Sequence, residues 1–117
     1  MSYARFRDQL IDANRHDLFP PEWFDHQVSK GLLVPFTGDA SAMLVGVRVF
    51  PSGRRVAHIP AAIGDLDELR DALGPNAIKW ALGQNCKLAT IEGRPGWSRA
   101  MKDHGWEHHQ SVLLKEL

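Results

Sequence analysis

The stretch from Cys86 to Trp106 constrains the fold most, because its hydrophobic period changes in the middle. Its first part, Lys87 to Glu92, is a short apolar run with β-branched members, which favours a buried strand over so short a helix. The segment Gly93-Arg94-Pro95-Gly96 ends that run. From Trp97 to His104 the apolar residues follow a helical spacing, which Gly105 stops. A strand that feeds a helix through a tight corner is half of a βαβ crossover, so we expect some parallel pairing.

The rest of the chain predicts helices and antiparallel strands around this unit. Apolar spacing and turn residues indicate helices over Tyr3 to Asn14, Pro21 to Lys30 and Asp65 to Gln84, and strands over Leu32 to Phe36, Ala42 to Phe50, Arg54 to Pro60 and Trp106 to Leu117. Gly74-Pro75 either kinks the long helix or splits it in two. The predicted fold class is α/β (α+β), with a mixed antiparallel and parallel central sheet packed by helices, in a single domain spanning residues 1–117.

Composition excludes several classes of protein. The 117 residues carry 14 Lys and Arg against 14 Asp and Glu, so no overall field attracts nucleic acid or an anionic membrane. No apolar run approaches the ~20 residues that cross a bilayer, and the first residues lack a signal-peptide core. We therefore expect no membrane or specific nucleic-acid partner, and a protein that stays inside the cell that makes it unless it is packaged into something.

Cysteine and histidine predict no redox or metal site. The lone Cys86 cannot form an internal disulfide and is expected to act as a small buried hydrophobe. His104 and His108 have helical spacing, but Gly105 interrupts the helix between them. His108 and His109 would point to opposite sides of a strand. The sequence therefore predicts no bound metal.

The order of elements, with the pair Gly105-Trp106 after the last short helix, resembles the Gcn5-related N-acetyltransferase family. The resemblance covers roughly residues 41 to 117, and the start lacks the family's usual first strand. It implies that the strands Arg54 to Pro60 and Lys87 to Glu92 splay apart and, with the elements that follow each of them, form the site for acyl-coenzyme A.

A narrower resemblance concerns proteins of tailed bacteriophages. The residues that carry it are Trp80-Ala81, Gly83, Cys86, Gly93-Arg94, Gly96-Trp97, Arg99 and Gly105-Trp106. They are similar to those of small phage-encoded acetyltransferase-like proteins, which are often grouped with virion proteins. This resemblance implies a place in the host bacterial cytoplasm, with incorporation into the virion as a further option.

The family's cofactor loop is poorly matched in this chain. Active members hold the cofactor's pyrophosphate in a Gln/Arg-x-x-Gly-x-Gly/Ala loop at a helix N-terminus, and the corresponding segment here, Pro60 to Glu68, keeps only Gly64. Asp65, Asp67 and Glu68 already occupy the positive end of that helix, which favours an acid-capped helix over a phosphate site. Pro60 has no N–H for the cofactor's pantetheine arm, and Met101 stands where the family has its general-acid tyrosine.

Six residues remain as candidates for a site. Glu92, at the end of its strand, is the candidate general base for an amine, and His104 is the candidate general acid. The candidates for binding the cofactor or another anion are Arg94, Gly96, Trp97 and Arg99, at or just after the corner that opens the last helix. For Arg94 an acidic residue of the protein itself is an equal alternative partner, and for Trp97 a place in the core is an alternative to a binding role.

The sequence thus predicts an acetyltransferase-like scaffold that has lost acetyl-coenzyme A chemistry and needs no cofactor. It would serve as a phage-encoded binding or virion-associated protein, with other phage or host proteins, or further copies of itself, as partners. The alternative is an active N-acetyltransferase that transfers an acetyl group from acetyl-CoA to an amine.

Overall fold

The computed structural model describes residues 3–13, 18–92 and 96–117. Its elements in chain order are α1 (Tyr3–Asp12), α2 (Pro21–Ser29), β1 (Val34–Thr37), β2 (Ala42–Val49), β3 (Arg55–Ile63), α3, β4 (Leu88–Ile91) and α4 (Gly96–Met101). Helix α3 covers residues 66–83 and consists of an α-helical start (Leu66–Glu68), a π-helical turn (Leu69–Leu73) and an α-helical end (Gly74–Gly83). A 3₁₀ turn (Lys102–His104) follows α4.

The four strands form one mixed sheet in the order β1-β2-β3-β4. The first three strands pair antiparallel, and β4 pairs parallel to β3 after the crossover through α3. Parallel neighbours need such a crossover, because a tight turn can join only antiparallel strands. The predicted mixed sheet is confirmed, and in the described part of the chain no strand comes before α1.

Helices cover both faces of the sheet. On one face, Phe6 and Leu10 of α1 and Phe24 of α2 pack with Leu44 and Ala61. On the other face, Met43, Val45 and Ile59 of the sheet pack against α3, whose contributions are Leu69, Leu73, Ala77 and Ala81. Cys86 joins this second core and is buried, as expected of a cysteine that acts as a small hydrophobe.

An ion pair with a shared tyrosine joins α1 to α2. The Arg7 guanidinium donates from Nε to Asp25 Oδ1 at 2.8 Å and from Nη2 to Asp25 Oδ2 at 2.9 Å, which is the bidentate geometry of strong Arg–carboxylate pairs. The Tyr3 hydroxyl donates to the same carboxylate at 2.8 Å. Burial, followed by this hydrogen bond, raises the pKa of Tyr3 to about 12. The two helices are therefore held to each other as well as to the sheet.

Strand β3 does not end at Pro60 as predicted but continues to Ile63. Leu44 pairs with Ala61 and Gly46 pairs with His58, so Ile59 and Pro60 together lie opposite the single residue Val45. This is a β-bulge, and a bulge is one of the few places where a strand tolerates proline. The prediction was wrong because it treated the missing N–H of Pro60 as a strand end.

Helix α3 is a single helix across Gly74-Pro75, which settles the alternative that the sequence left open. The Gly74 N–H donates to the Leu69 carbonyl five residues earlier, so the preceding turn is wider than an α-helical turn. A proline ring in a regular α-helix clashes with the carbonyl four residues before it, and the wider turn gives it room. A methyl group at Gly74 would lie 2.9 Å from the same Leu69 carbonyl oxygen, so the turn also requires a small residue there.

The predicted last strand, Trp106 to Leu117, is wrong. Trp106 packs against the core beneath α3, and Gly105, in the left-handed conformation, ends the turn before it as expected. Residues 106–117 form neither helix nor strand, and the side chains of Val112 and Leu113 are almost fully exposed. The apolar pattern is present, but a strand also needs a neighbouring strand to pair with, and the sheet of the described residues consists of β1 to β4 alone.

Two glycines with similar backbone angles predict different costs of substitution. Gly64 has φ +111°, and a methyl group there would lie 2.2 Å from the Ala40 carbonyl oxygen, whereas Gly53 has φ +86° and open space around it. Gly53→Ala should cost about 1 kcal/mol of left-handed strain, and Gly64→Ala should cost about 3 kcal/mol because a clash adds to that strain. Urea unfolding of both variants checks this, and equal costs would contradict the close approach at Gly64.

Candidate functional site

The N-terminus of α3 is capped by the protein's own Asp65. The Asp65 side chain accepts a hydrogen bond from the Asp67 N–H at 2.8 Å, and the Asp65 carbonyl accepts from the Leu69 N–H at 3.0 Å. The Asp65 N–H in turn donates to the buried Ser41 hydroxyl at 2.8 Å, which fixes the start of the helix to β2. The predicted acid-capped helix is confirmed at Asp65.

Glu68 has a different role from the one predicted, because it reaches across to the turn between β1 and β2. Its carboxylate accepts from the Asp39 N–H at 2.9 Å and from the Ala40 N–H at 3.0 Å. Hydrogen bonding from the Ser41 hydroxyl, then from these two N–H groups, lowers the pKa of Glu68. Gly38 leaves room for this contact, since a methyl group there would lie 2.6 Å from the Glu68 carboxylate.

These carboxylates do not fit a site for a diphosphate. Asp65 uses the Asp67 N–H, Glu68 fills the adjoining turn, and Asp67 forms an ion pair with Arg70 at 3.0 Å. A phosphate binds at a helix N-terminus through free backbone N–H groups and the positive end of the helix dipole. Here the Asp65 carboxylate occupies one of these N–H groups, and a further anion would meet three carboxylates within the first turn of α3, one of them paired with Arg70.

The pairing of β3 with β4 ends at the bulge. The Glu92 N–H donates to the Ile59 carbonyl at 3.1 Å, and their last paired residues are Ile59 and Ile91. Beyond this point β3 pairs only with β2 as far as Ile63, and the residues that follow Glu92 lie outside the described ones, so the splay that the resemblance implies stays a prediction. Pro60 stands at this point and has no N–H to offer. A ligand arm placed here would therefore lack one backbone donor.

A histidine and a carboxylate lie together beside the place where this pairing ends. His58 of β3 is adjacent to Thr90 of β4, and its Nδ1 is 3.0 Å from the Thr90 hydroxyl. Its Nε2 is 3.5 Å from Glu92 Oε1. The His58 side chain is 15% exposed and that of Glu92 is 67% exposed. Burial lowers the pKa of His58, while Glu92 raises it and Arg48 lowers it. A neutral imidazole next to a carboxylate is suited to accepting a proton.

A cavity of about 650 Å³ lies at the other end of β4. The residues that border it come from the β2–β3 hairpin, from Lys87 to Thr90, and from the segment that includes His104, Trp106, Glu107 and His109. Leu88 and Ala89 supply an apolar wall, and Arg54 and Lys87 bring positive charge. The cavity is open and contains no arrangement of N–H groups comparable to a phosphate loop among the contacts of the described residues.

The structure places five of the six predicted site residues, and it does not bring them together in one site. Glu92 lies beside His58, whereas His104 is exposed in the 3₁₀ turn and borders the cavity. Trp97 is half-buried against the core, and Arg99 is exposed on α4, which begins at Gly96. Arg94 lies outside the described residues. The roles proposed for these residues stay predictions. Trp97 packs against the core, which is the alternative to a binding role that the sequence left open.

Sequence reasoning missed His58 and Ser41. Neither belongs to a motif, and their positions become meaningful only when the sheet register is known. His58 could have been found by pairing the hairpin strand with the strand that ends at Glu92, because parallel register brings it next to Thr90. Ser41 is the one buried residue of the described chain that is polar, and only its contact with Asp65 shows why.

Two further classes of site find no support in the described residues. Within residues 3–13, 18–92 and 96–117, no three His, Cys, Asp or Glu side chains lie together in a way that could hold a metal ion. No helix in the same ranges has the length and apolar character needed to cross a bilayer.

The mixed sheet packed by helices on both faces defines an α+β fold, and solved acetyltransferases have a similar fold. The fold is similar to that of a Trypanosoma brucei acetyltransferase, with a TM-score of 0.65 at 12% identity over 97% of this chain and 92% of that one. It is also similar to a predicted acetyltransferase from Clostridium acetobutylicum solved with acetyl-CoA (TM-score 0.66, 14% identity, covering 96% of this chain and 86% of that one). An aminoglycoside N-acetyltransferase in complex with CoA has a TM-score of 0.65 at 14% identity, covering 98% and 86%.

The chain therefore has a Gcn5-related N-acetyltransferase-like fold. Neither models of protein families nor curated proteins give a match to its sequence. The fold likeness thus comes from backbone arrangement at low identity, and the residues of the site have to be judged on their own contacts.

The lowered pKa of His58 predicts that stability falls on mild acidification. The unfolded histidine titrates near its ordinary pKa of 6.5, while the folded one titrates lower, so between these values the unfolded state binds more protons. Stability is full above the unfolded pKa and is lost as pH falls through the folded pKa. We expect the free energy of unfolding to decrease from about pH 7 to about pH 5, with a smaller decrease in His58→Gln.

Urea unfolding at several pH values measures this dependence. The matched control is His26→Gln, which removes a histidine from α2 instead. Equal pH dependence in the wild type and His58→Gln would contradict a burial effect at His58.

Proposed function

We propose that this chain is an acetyltransferase-like scaffold that has lost acetyl-CoA chemistry and acts as a binding protein. The observation that carries the proposal is the closed N-terminus of α3, where Asp65 caps the helix and Glu68 accepts the N–H groups of Asp39 and Ala40. A cofactor diphosphate would have to displace both carboxylates. Pro60 adds to the argument, since it removes a backbone donor where the pairing of β3 with β4 ends.

We further propose that the protein is phage-encoded and acts in the host bacterial cytoplasm or as part of the virion, with phage or host proteins as partners. The support for this is the narrower resemblance carried by Trp80-Ala81, Gly93-Arg94 and Gly105-Trp106. Purification of the particle or complex in which the protein naturally occurs tests this part. Recovery of the protein from cells without any phage product or particle would speak against it.

A thermal-shift measurement with acetyl-CoA tests the loss of cofactor binding. A ligand at a hundred times its dissociation constant stabilises by about 2.7 kcal/mol, which is about 10 °C for a domain of this size. We expect the wild-type protein to show no shift on this scale with acetyl-CoA or CoA, because the start of α3 repels the diphosphate. A shift near 10 °C would overturn the proposal.

A charge-removing variant makes the test sharper. Asn caps helices as well as Asp does, so Asp65→Asn with Asp67→Asn removes two negative charges and keeps the cap. We expect this double variant to bind CoA more strongly than the wild type. Equal binding would show that the carboxylates are not the reason for weak binding, and the matched control is Asp8→Asn, an exposed carboxylate on α1.

The second candidate function is an active N-acetyltransferase, and the pair formed by His58 and Glu92 favours it. Their atoms lie 3.5 Å apart beside the place where β3 and β4 stop pairing, where a base could take a proton from an amine. An assay of CoA release with a panel of amines distinguishes the two functions. Turnover that His58→Gln and Glu92→Gln both abolish would establish the enzyme, and absence of turnover in the wild type agrees with the scaffold.

A further inference from the structure

The cavity at the start of β4 has apolar walls that neither candidate function uses. Its volume of about 650 Å³ is typical of pockets that hold small molecules. Phe50, Leu88 and Trp106 supply large apolar side chains to its border. Phe50 is 41% exposed and Leu88 is 49% exposed. Burial of this surface against an apolar ligand would remove it from water, which favours such an occupant.

Two cations border the same cavity. Arg54 directly precedes β3 and Lys87 directly precedes β4, and both residues are exposed. Because β3 and β4 are parallel and in register, the two side chains lie at the same end of the sheet. The ion pairs that the described residues form involve other side chains. Glu107 is the one carboxylate among the described residues that border the cavity, so the border carries more positive than negative charge.

The charges of the chain are segregated along the strands. Residues 40–64, which contain β2 and β3, include three arginines and neither Asp nor Glu, and residues 72–91 include two lysines and no carboxylate. Asp39, Asp65 and Glu68 lie instead at the opposite end of the sheet, where the turn before β2 meets the start of α3. The nine residues of β3 separate the two ends by roughly 25 Å, about three Debye lengths at physiological salt. An anion in the cavity is therefore attracted by the nearby cations and is screened from these carboxylates.

A hydrogen bond fixes the two segments that carry the cations. The Arg55 guanidinium donates from Nε to the Gln84 carbonyl at 2.9 Å, which joins the start of β3 to the loop that leads into β4. The contacts of the described residues include no arrangement of N–H groups like a phosphate loop at this end. Two side-chain cations without such a loop suit a single negative charge better than a diphosphate.

We propose that the cavity at the start of β4 binds a small alkyl or aryl carboxylate. The apolar body of the ligand lies against Phe50, Leu88 and Trp106. Its carboxylate lies between Arg54 and Lys87, where it balances their charge. This inference goes beyond the proposed function and does not depend on it, because the cavity is at the end of β4 away from both the N-terminus of α3 and the place where β4 stops pairing with β3.

Calorimetric titration of the full-length protein with hexanoate, octanoate and decanoate tests the apolar part of the proposal. Each fully buried CH₂ group tightens binding about fourfold. We expect one site, with a dissociation constant that falls at least about fivefold from octanoate to decanoate, because an open cavity buries the added groups only in part. Equal affinity along the series would overturn the proposal, since an anion held by charge alone gains nothing from chain length. Absence of decanoate binding, or many equivalent sites, would also overturn it.

Two probes of equal chain length and opposite charge test the role of the cations. The wild type should bind decanoate more tightly than decyltrimethylammonium. Arg54→Gln with Lys87→Gln should weaken decanoate binding about fivefold and strengthen binding of the cationic probe. A folding defect cannot imitate this result, because it would weaken both probes. The matched control is Lys30→Gln, which removes an exposed charge at the end of α2 and should change neither affinity.

A change in the apolar wall locates the ligand. Leu88→Gln removes a half-exposed apolar side chain from the cavity border, so it should weaken decanoate binding at least about fivefold. The matched control is Leu32→Gln, an apolar side chain that is 56% exposed elsewhere, which should leave the affinity unchanged. Decanoate binding that is the same in the wild type, in Leu88→Gln and in the double charge variant would place the ligand outside this cavity and overturn the proposal.

Discussion

The carboxylate of Glu68 joins two parts of the chain that are far apart in sequence. It is in the first turn of α3 and holds the N–H groups of the turn that leads into β2. Two glycines lie around this contact. Gly38 leaves room for the Glu68 carboxylate, and Gly64 lets the end of β3 lie close to Ala40 and Ser41. Arg5 of α1 donates to the Asp39 carbonyl and so ties the first helix to the same point.

This contact occupies backbone N–H groups next to the start of α3. The positive end of a helix and a set of free N–H groups can hold either a bound anion or a carboxylate of the chain itself. Here Asp65 accepts the Asp67 N–H of the helix, and Glu68 accepts the N–H groups of Asp39 and Ala40 in the neighbouring turn. The protein therefore shares its backbone shape with acetyltransferases, while carboxylates of its own chain hold these N–H groups.

Much of the fold could be predicted from local pattern. The helical spacing, the hairpin turn at Pro51-Ser52-Gly53 and the strand-corner-helix unit were sufficient for the element order and the mixed sheet. The sequence could not show whether a proline ends, kinks or merely modifies an element. Pro60 lies in a bulge and Pro75 follows a π-helical turn, and in both cases the tertiary setting decides. The strand predicted for Trp106 to Leu117 was wrong for the opposite reason. Its apolar pattern suits a strand but gives no information about a pairing partner. The pair of His58 and Glu92 was missed because it depends on the register between two strands that are separated by a whole helix, and no local pattern gives that register.

The bulge at Ile59-Pro60 has a consequence for how this strand can be recognised. Because one extra residue is inserted, Ile59 faces α3 whereas Ala61, two positions later, faces α1. Strict alternation of inward and outward residues holds on each side of the bulge but changes phase across it. An alignment of β3 with an unbulged strand by its alternating pattern will be shifted by one residue on one side of the bulge. Chains with an unbroken alternation at this place should lack the bulge, and one face of their strand should then contact one helical layer along its whole length.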